Sequence, residues 1–476
     1  MARNWVEGAV RAMHARKEQI AVWSPKRAIT FGELRDLAAR AQALFRRHGV
    51  RGGDHVLMLD LPGPRLYAAI IAVLSLGAGI VFVEPWMSPS KIDNVIRLIK
   101  PKVFFAPTLG KLWGARVPSI RHIPSWVSPK EIDVEPGSEL VVEDVEPEAH
   151  AIVTFSSGTS GEPKGVVRSH GYLVLVEDML GKYDVDADDP RPDLSIFPNL
   201  VLLHLAKGRT TILIPHSWKA EHLAAVRTLP EELQPASAAC GPAFLARLIQ
   251  APGFDQLRFI GVGGALSDCA VLEAAFARFP ETAFWHIYGG TEVEPVAHAD
   301  ARDAVQKSRA RGLYQALFVG APIPELAVDP REEGLWVSGP NVCPEYLGAI
   351  ADNKLYKRRD EQNRLWHFMG DRVVKDAEGW WYRGRSFQTP EDFSDEQALY
   401  TLLQSSKSFI HRTPGGRRVL IGEGVDARRA EIFRRVPDLA AVLEGKIARD
   451  ARHRARIDRK KSSARVARAM ARVDAG

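Results

Sequence analysis

Residues 151–170 read AIVTFSSGTSGEPKGVVRSH, and the rest of the chain is best read outward from this stretch. Ala151, Ile152 and Val153 read as the end of a buried strand. They open into a loop built from Thr154, Ser156, Ser157, Gly158, Thr159, Ser160 and Gly161, which Lys164 and Gly165 close before the apolar Val166 and Val167. Glycines let a backbone approach an anion and turn its N–H groups inward, hydroxyls add donors, and a lysine supplies charge for a phosphate. Gly/Ser/Thr clusters are also the composition of plain turns and linkers. Here apolar runs flank the cluster and a lysine lies just beyond it, which favours a phosphate cradle. The G-x-x-x-x-G-K-[ST] spacing is absent, so the loop is not a Walker A motif.

A chain of 476 residues exceeds one typical core, and two or three subdomains are expected. The longest apolar stretch, residues 67–83 (YAAIIAVLSLGAGIVFV), falls short of a membrane span and contains two glycines. It reads as a buried helix over 66–76 running into a strand over 79–83. The N-terminal residues are charged throughout, with no apolar secretory core. Cys240, Cys269 and Cys343 are far apart and odd in number, and form neither a metal spacing nor a disulfide framework. Both features point to a reducing, cytoplasmic setting. The formal charge of +6 is concentrated between Lys446 and Arg472. A basic tail of this kind either binds nucleic acid or forms a solvated helical face, and the lack of interleaved aromatics favours the second.

Thr30 and Glu33 fit a capping box that opens a helix over 30–45, after a strand over 20–24. Strands over 55–59, 79–83 and 103–106 alternate with helices over 66–76 and 88–99, which argues for an α/β fold whose sheet is at least partly parallel. Residues 110–148 are Pro-rich and read as irregular. A helix over 173–183 and an exposed acidic turn over 184–192 follow, and residues 193–215 hold two apolar segments separated by Lys207, Gly208 and Arg209. Further strands over 236–240, 259–262 and 283–288 each lead into a glycine turn or a helical segment. Ligands in such sheets collect at strand carboxyl ends.

Two motifs fall there. Gly263-Gly264-Ala265 follows the strand over 259–262, and Tyr288-Gly289-Gly290-Thr291-Glu292 ends the strand over 283–288. Each alone is an ordinary glycine turn. Chemically, however, Tyr288 can stack on a base, Thr291 can donate to a phosphate oxygen, and Glu292 can hold Mg²⁺, a hard cation that takes oxygen ligands and accompanies phosphates.

Residues 154–165 resemble the signature phosphate loop of the adenylate-forming superfamily, which includes acyl-CoA synthetases, peptide-synthetase adenylation domains and luciferases. The Tyr288–Glu292 motif follows in the family's order and at a comparable distance. The resemblance implies that Gly263, Gly264 and Ala265 lie against an adenine and that Asp371, in HFMGD, accepts from both ribose hydroxyls. It also implies that Arg385 approaches the ribose or phosphate near an interdomain hinge. Residues 197–208 (FPNLVLLHLAKG) resemble the branch that holds OleC-type β-lactone synthetases and fatty acyl-AMP/CoA ligases. The implied architecture is a large multi-subdomain N-terminal region of layered βαβ sheets, residues 1–385, plus a small, divergent α+β C-terminal lid domain, residues 386–476. The implied activity is ATP- and Mg²⁺-dependent activation of a carboxylic acid as an acyl-adenylate, with pyrophosphate released. Lys164, Thr291, Glu292 and a C-terminal cation serve that step. The acyl group then passes to CoA, an amine or a hydroxyl, including an internal one.

The C-terminal part departs from the pattern. Ser386-Phe387-Gln388 follows Arg385, so Phe387 stands where the family carries a hinge charge, and the next glycine loop is shortened or lost. Arg456 matches the family's catalytic lysine, with Lys446 as a rival alignment over fewer neighbours. Arginine keeps the charge but differs in shape and hydration. The departures leave open a degenerate member that binds nucleotide without turnover.

Overall fold

The computed structural model describes residues 4–83, 87, 89–137, 139–156, 164–181, 189–215, 217–347, 350–449 and 456–475. A seven-stranded sheet runs in the order Tyr346–Leu347, Lys164–Ser169, His150–Ser156, Gly79–Phe82, His55–Met58, Val103–Phe105, Ser125–Val127. Its five strands from His150–Ser156 onward are parallel, while the pair His150–Ser156 and Lys164–Ser169 is antiparallel. The glycine- and hydroxyl-rich loop is therefore the turn of a hairpin whose last described pair is Ser156 opposite Lys164.

An eleven-stranded sheet holds the other motifs. Its parallel part joins Ile20–Ser24, Thr211–Ile212, Asp193–Ser195, Ser237–Cys240, Phe259–Val262 and Ala283–Gly290. From there Val293–Asp300, Phe318–Pro322, Gly379–Arg385 and Asp371–Asp376 continue it in antiparallel fashion. The expected α/β layering is thus present, with one parallel half in each large sheet. A four-stranded sheet is built from Ala327–Arg331, Gly334–Ser338, Leu365–Phe368 and Lys357–Arg359.

The helix Phe31–Arg47 begins at Thr30 with the expected capping box: Thr30 Oγ1 accepts from Glu33 N, and Glu33 Oε2 accepts from Thr30 N at 2.8 Å. It packs with Pro64–Ser75 in a core that takes Val22 and Ile29 from the larger sheet and Val56, Ile80 and Ile152 from the smaller one. Sheet on both sides explains why residues 66–75 are buried all round and why the stretch is so uniformly apolar. Among the described residues no helix is long and apolar enough to cross a membrane.

Residues 110–148 are more ordered than their composition suggests. Short helices Thr108–Gly114, Pro118–Arg121 and Glu131–Val134 surround Ser125–Val127, which adds a parallel strand to the smaller sheet. Elements of three to seven residues are too short to carry a readable period. Residues 182–188 of the acidic turn lie outside the described residues.

Beyond Arg385 come the helix Pro390–Leu403 and a three-stranded sheet of Ser408–Arg412, Arg418–Gly422 and Ala441–Glu444. Arg418, 5% exposed, holds this unit together by pairing with Asp392 at 2.7 Å, with Asp438 at 2.5 Å and with Asp395. The basic tail forms the helices Arg459–Arg465 and Ala467–Ala475. It is not uniformly solvated, because Arg459 pairs with the buried Glu396 at 2.8 Å and its guanidinium lies 5.0 Å from the Phe409 ring centroid.

At the start of the central strands, His55 Nε2 and His150 Nδ1 lie 3.1 Å apart, within hydrogen-bond distance. Burial first, and then the neighbouring His150, pushes His55 down from 6.5 to about 4, against a smaller upward pull from Asp54. The unfolded chain therefore binds a proton at His55 that the folded chain refuses between these values. Stability from this group is complete above about pH 6.5 and is lost as pH falls towards 4. Denaturant unfolding at pH 7 and pH 5 is expected to show a loss that shrinks in His55→Asn. An unchanged pH dependence in the variant would remove His55 as its source.

Candidate active site

The carboxyl ends of the two large sheets meet at the motif residues. Thr291 and Glu292 form the two-residue turn of the hairpin between Ala283–Gly290 and Val293–Asp300, in which Gly290 pairs with Val293. The strand thus runs two residues beyond Tyr288 and includes Gly289 and Gly290. A Cβ at Gly289 would lie 3.0 Å from the Val293 carbonyl, so any larger residue there would make the hairpin give by a few tenths of an ångström.

Glu292 is held from behind. Its Oε1 accepts from the Tyr346 hydroxyl at 2.9 Å, and its carbonyl accepts from Cys343 N at 2.8 Å. Lys357 is 9% exposed; its Nζ donates to the Cys343 carbonyl and lies 5.3 Å from the Tyr346 ring centroid. Burial pushes the Lys357 ammonium below its usual range, opposed by Cys343 and Glu292. Among the described residues Oε2 of Glu292 accepts no hydrogen bond. One anchored and one open carboxylate oxygen fits a cation shared with a polyphosphate, since Mg²⁺ needs few protein ligands when phosphates and water supply the others. Among the described residues no cluster of three or more His, Cys, Asp or Glu side chains offers a self-contained metal site.

Tyr288 and Arg385 converge on Asp371. The Tyr288 hydroxyl donates to Oδ2 at 2.8 Å, and Arg385 Nη1 lies 2.9 Å from Oδ1 across a directly paired position of the last two strands. Burial, reinforced by Asp371, pushes the Tyr288 hydroxyl well above its usual range, and Asp371 raises Arg385. Gly263 lies beside this group, a Cβ there falling 3.2 Å from the Ile287 carbonyl. Gly264 takes the left-handed conformation, φ +79°, and its carbonyl accepts from Arg456 Nε at 2.9 Å. Ala265 is half-buried next to it.

The C-terminal unit therefore reaches the crevice through Arg456. Lys446 is exposed and its carbonyl accepts from Arg465, while Lys461 pairs with Asp458; among the described residues neither side chain contacts a motif residue. The connection between the units is braced. Arg372 Nη1 donates to the carbonyls of Arg385, at 3.1 Å, and Gln388, and Gln388 Nε2 donates to Glu396 at 2.9 Å. Phe387 is exposed, with Arg459 6.0 Å from its ring centroid. Across the units Ser406 donates to Asp268 at 2.9 Å and Gln397 to Gln315 at 3.1 Å.

Thr154 lies in the strand His150–Ser156, opposite Val166 and two pairs before the last described pair of that hairpin. Ser157, Gly158, Thr159, Ser160 and Gly161 lie outside the described residues, and of Ser156 and Lys164 only the backbone pairing is described. The reading of the sequence passed over Arg168, Tyr346 and Lys357. Arg168 carried a signal, a charge directly after the apolar Val166 and Val167, whereas Tyr346 and Lys357 gain meaning only from contacts distant in sequence.

Tyr288→Phe leaves Asp371 Oδ2 without a donor in a buried site, at a cost of about 1–3 kcal/mol. Denaturant unfolding should register that loss, and a variant as stable as the parent would show that Asp371 does not need this bond.

The family model described as AMP-binding enzyme matches residues 10–347. The chain is 25% identical to an olefin β-lactone synthetase of Xanthomonas campestris pv. campestris, over 84% of this chain and 79% of that protein. Among solved structures it is similar to the anthranilate CoA ligase AuaEII in complex with anthranoyl-AMP, with 16% identity, a TM-score of 0.79 and 98% of each chain covered. The amide bond synthetase McbA from Marinactinospora thermotolerans gives 18% identity and a TM-score of 0.76, over 96% of this chain and 99% of that one. At these identities the structural likeness speaks for the fold. With more than half of its length matched by the family model, the chain belongs to the AMP-binding enzyme family.

Proposed function

We propose that this chain activates a carboxylic acid with ATP, forming an acyl-adenylate and pyrophosphate, and then passes the acyl group to an acceptor. The observation that carries this reading is the reach of Arg456 to the Gly264 carbonyl, which sets a C-terminal cation beside the motif residues of the large sheets. In the reaction a substrate carboxylate oxygen forms a bond to the α-phosphorus while the bond from that phosphorus to the leaving pyrophosphate oxygen breaks. No protein nucleophile and no proton transfer are required. What the chain supplies is positioning and fixed charge.

In this reading Ser156, Ser157, Thr159, Ser160 and Lys164 surround the phosphates, Thr291 donates to them, and Gly263, Gly264 and Ala265 take the adenine with Tyr288. Asp371 and Arg385 receive the ribose. Mg²⁺, when bound at Glu292 with the nucleotide, neutralises phosphate charge. Residues 1–385 form the adenylate-forming body and 386–476 its lid. The apolar character of residues 197–205 leans towards an acyl or aryl acid. The acceptor is CoA, an amine or a hydroxyl, and the braced connection around Gln388 favours the last two.

Arg456 in place of a lysine also supports a second reading, a nucleotide binder without turnover. Incubation with ATP, Mg²⁺ and a panel of acyl, aryl and amino acids separates the two. Pyrophosphate release with at least one acid is expected. Nucleotide binding by calorimetry with no release from any acid would establish the second reading instead. With an active acid in hand, Arg456→Ala should lower the rate of release by about 100-fold, the scale of losing one charge-stabilising donor. Arg456→Lys should recover part of it, and a silent Arg456→Ala would remove this residue from the reaction.

A further inference from the structure

Arg168 lies in the strand Lys164–Ser169, four residues beyond Lys164, and is 8% exposed. Its Nη1 donates to Thr154 Oγ1 at 2.8 Å, and its Nη2 donates to the Thr291 carbonyl at 3.0 Å. The Tyr172 hydroxyl lies beside the same guanidinium. One side chain thus ties the hairpin of the seven-stranded sheet to the hairpin turn of the eleven-stranded sheet, although Thr291 stands 123 residues along the chain.

The charge balance at this point is unusual. Among the described residues Arg168 forms no ion pair; its hydrogen bonds go to neutral oxygens. Its neighbours Glu292 and Glu294 are engaged elsewhere or stand further off: Glu292 accepts from Tyr346, and Glu294 acts on Tyr172 only through space. A buried cation without a carboxylate partner is destabilising, unless an anion arrives to compensate it. Both groups that Arg168 holds belong to motifs that the proposed function assigns to a polyphosphate.

The direction of the first bond matters as well. With a lone pair of Thr154 Oγ1 occupied by a guanidinium N–H, the threonine proton is left to point at another acceptor. A hydroxyl that accepts from a cation is a stronger donor than one that does not. The second bond fixes the Thr291 carbonyl, and with it the peptide that leads into Glu292.

We propose that Arg168 is a positioning residue of the nucleotide polyphosphate site, clamping the two hairpins at a fixed separation and turning the Thr154 hydroxyl towards the phosphates, whose negative charge compensates its own. The proposal rests on the reading that Thr154, Thr291 and Glu292 face ATP. A lysine cannot reproduce it, because a single ammonium lacks the planar fork that spans two acceptors.

The test uses the full chain, an acid on which it releases pyrophosphate, and the variants Arg168→Gln, Arg168→Lys and Thr154→Val. Arg168→Gln should lower kcat/KM for ATP by about 100-fold and abolish the rise in Tm that ATP with Mg²⁺ gives the parent. Arg168→Lys should keep the nucleotide-induced Tm rise through its charge while still losing about 10-fold in kcat for want of the second contact. In Thr154→Val, which retains the guanidinium and its bond to Thr291, a loss of about 10-fold is expected. It should add little to the loss in the double variant, because the two residues act as one unit. If Arg168→Gln does not fold, the lysine and valine variants decide alone. A lower Tm with kcat and KM for ATP unchanged would overturn the proposal in favour of a plain structural pin, as would additive losses in the double variant. A parent protein that neither binds ATP nor releases pyrophosphate overturns the underlying reading together with the proposal, whereas an active parent with silent variants overturns the proposal alone.

Discussion

A carboxylate removed from water keeps its charge only where its oxygens find donors or cations, and Asp371 meets this requirement in a way that shapes the crevice. Tyr288 serves one oxygen and Arg385 the other. These three residues come from the end of a parallel strand and from the last two antiparallel strands of the same sheet, which do not neighbour the first directly. Their meeting at one carboxylate fixes how far the sheet curls at its carboxyl end. Gly370, at φ +67°, makes the turn into Asp371, and its carbonyl accepts from Ser386 N at 2.9 Å, so the same turn also sets where the chain leaves the large unit.

The seam between the two large sheets follows a similar logic with opposite sign. Arg168 and Lys357 are buried there, and both act through space on the Cys343 thiol, as Glu292 does with the opposite sign. Desolvation lowers Lys357 and raises the Cys343 thiol, so the environment favours the neutral form of each. Glu292 stands partly open at the turn and is steadied by Tyr346. Tyr346 is itself fixed by Asn353, which accepts from its N–H at 2.7 Å and donates to its carbonyl at 2.8 Å. Neutral donors of this kind hold a carboxylate without neutralising it, whereas a salt bridge would compensate its charge.

Much of this was legible in the sequence where the signal is local. The capping box at Thr30 and Glu33, the alternation of apolar runs, and the glycine turns at strand ends each depend on residues a few positions apart. The structure returns them with boundaries shifted by at most three residues, and the strands over 20–24 and 259–262 not at all. What stayed hidden depends on distance along the chain. Glu292 meets Tyr346 across 54 residues, and Arg168 meets Thr291 across 123, separations at which no spacing rule operates. Arg459 was hidden for another reason. It stands among many arginines that face water, and only the placement of Glu396 on a helix 63 residues earlier singles it out. The short elements within 108–134 were obscured by prolines, which break the period yet serve as helix starts at Pro118.

The brace at the junction of the two units carries an implication for energetics. Arg372 adjoins Asp371 in sequence and grips the carbonyls of Arg385 and Gln388, while Arg385 grips Asp371 itself. Occupancy at Asp371 and the orientation of everything beyond Gln388 are therefore not independent variables but two readings of one set of bonds. By reciprocity, whatever free energy a change at Asp371 transmits to the chain beyond Gln388, a movement beyond Gln388 returns to Asp371. With each bond contributing about 1 kcal/mol, breaking a pair of them corresponds to a coupling of roughly 30-fold.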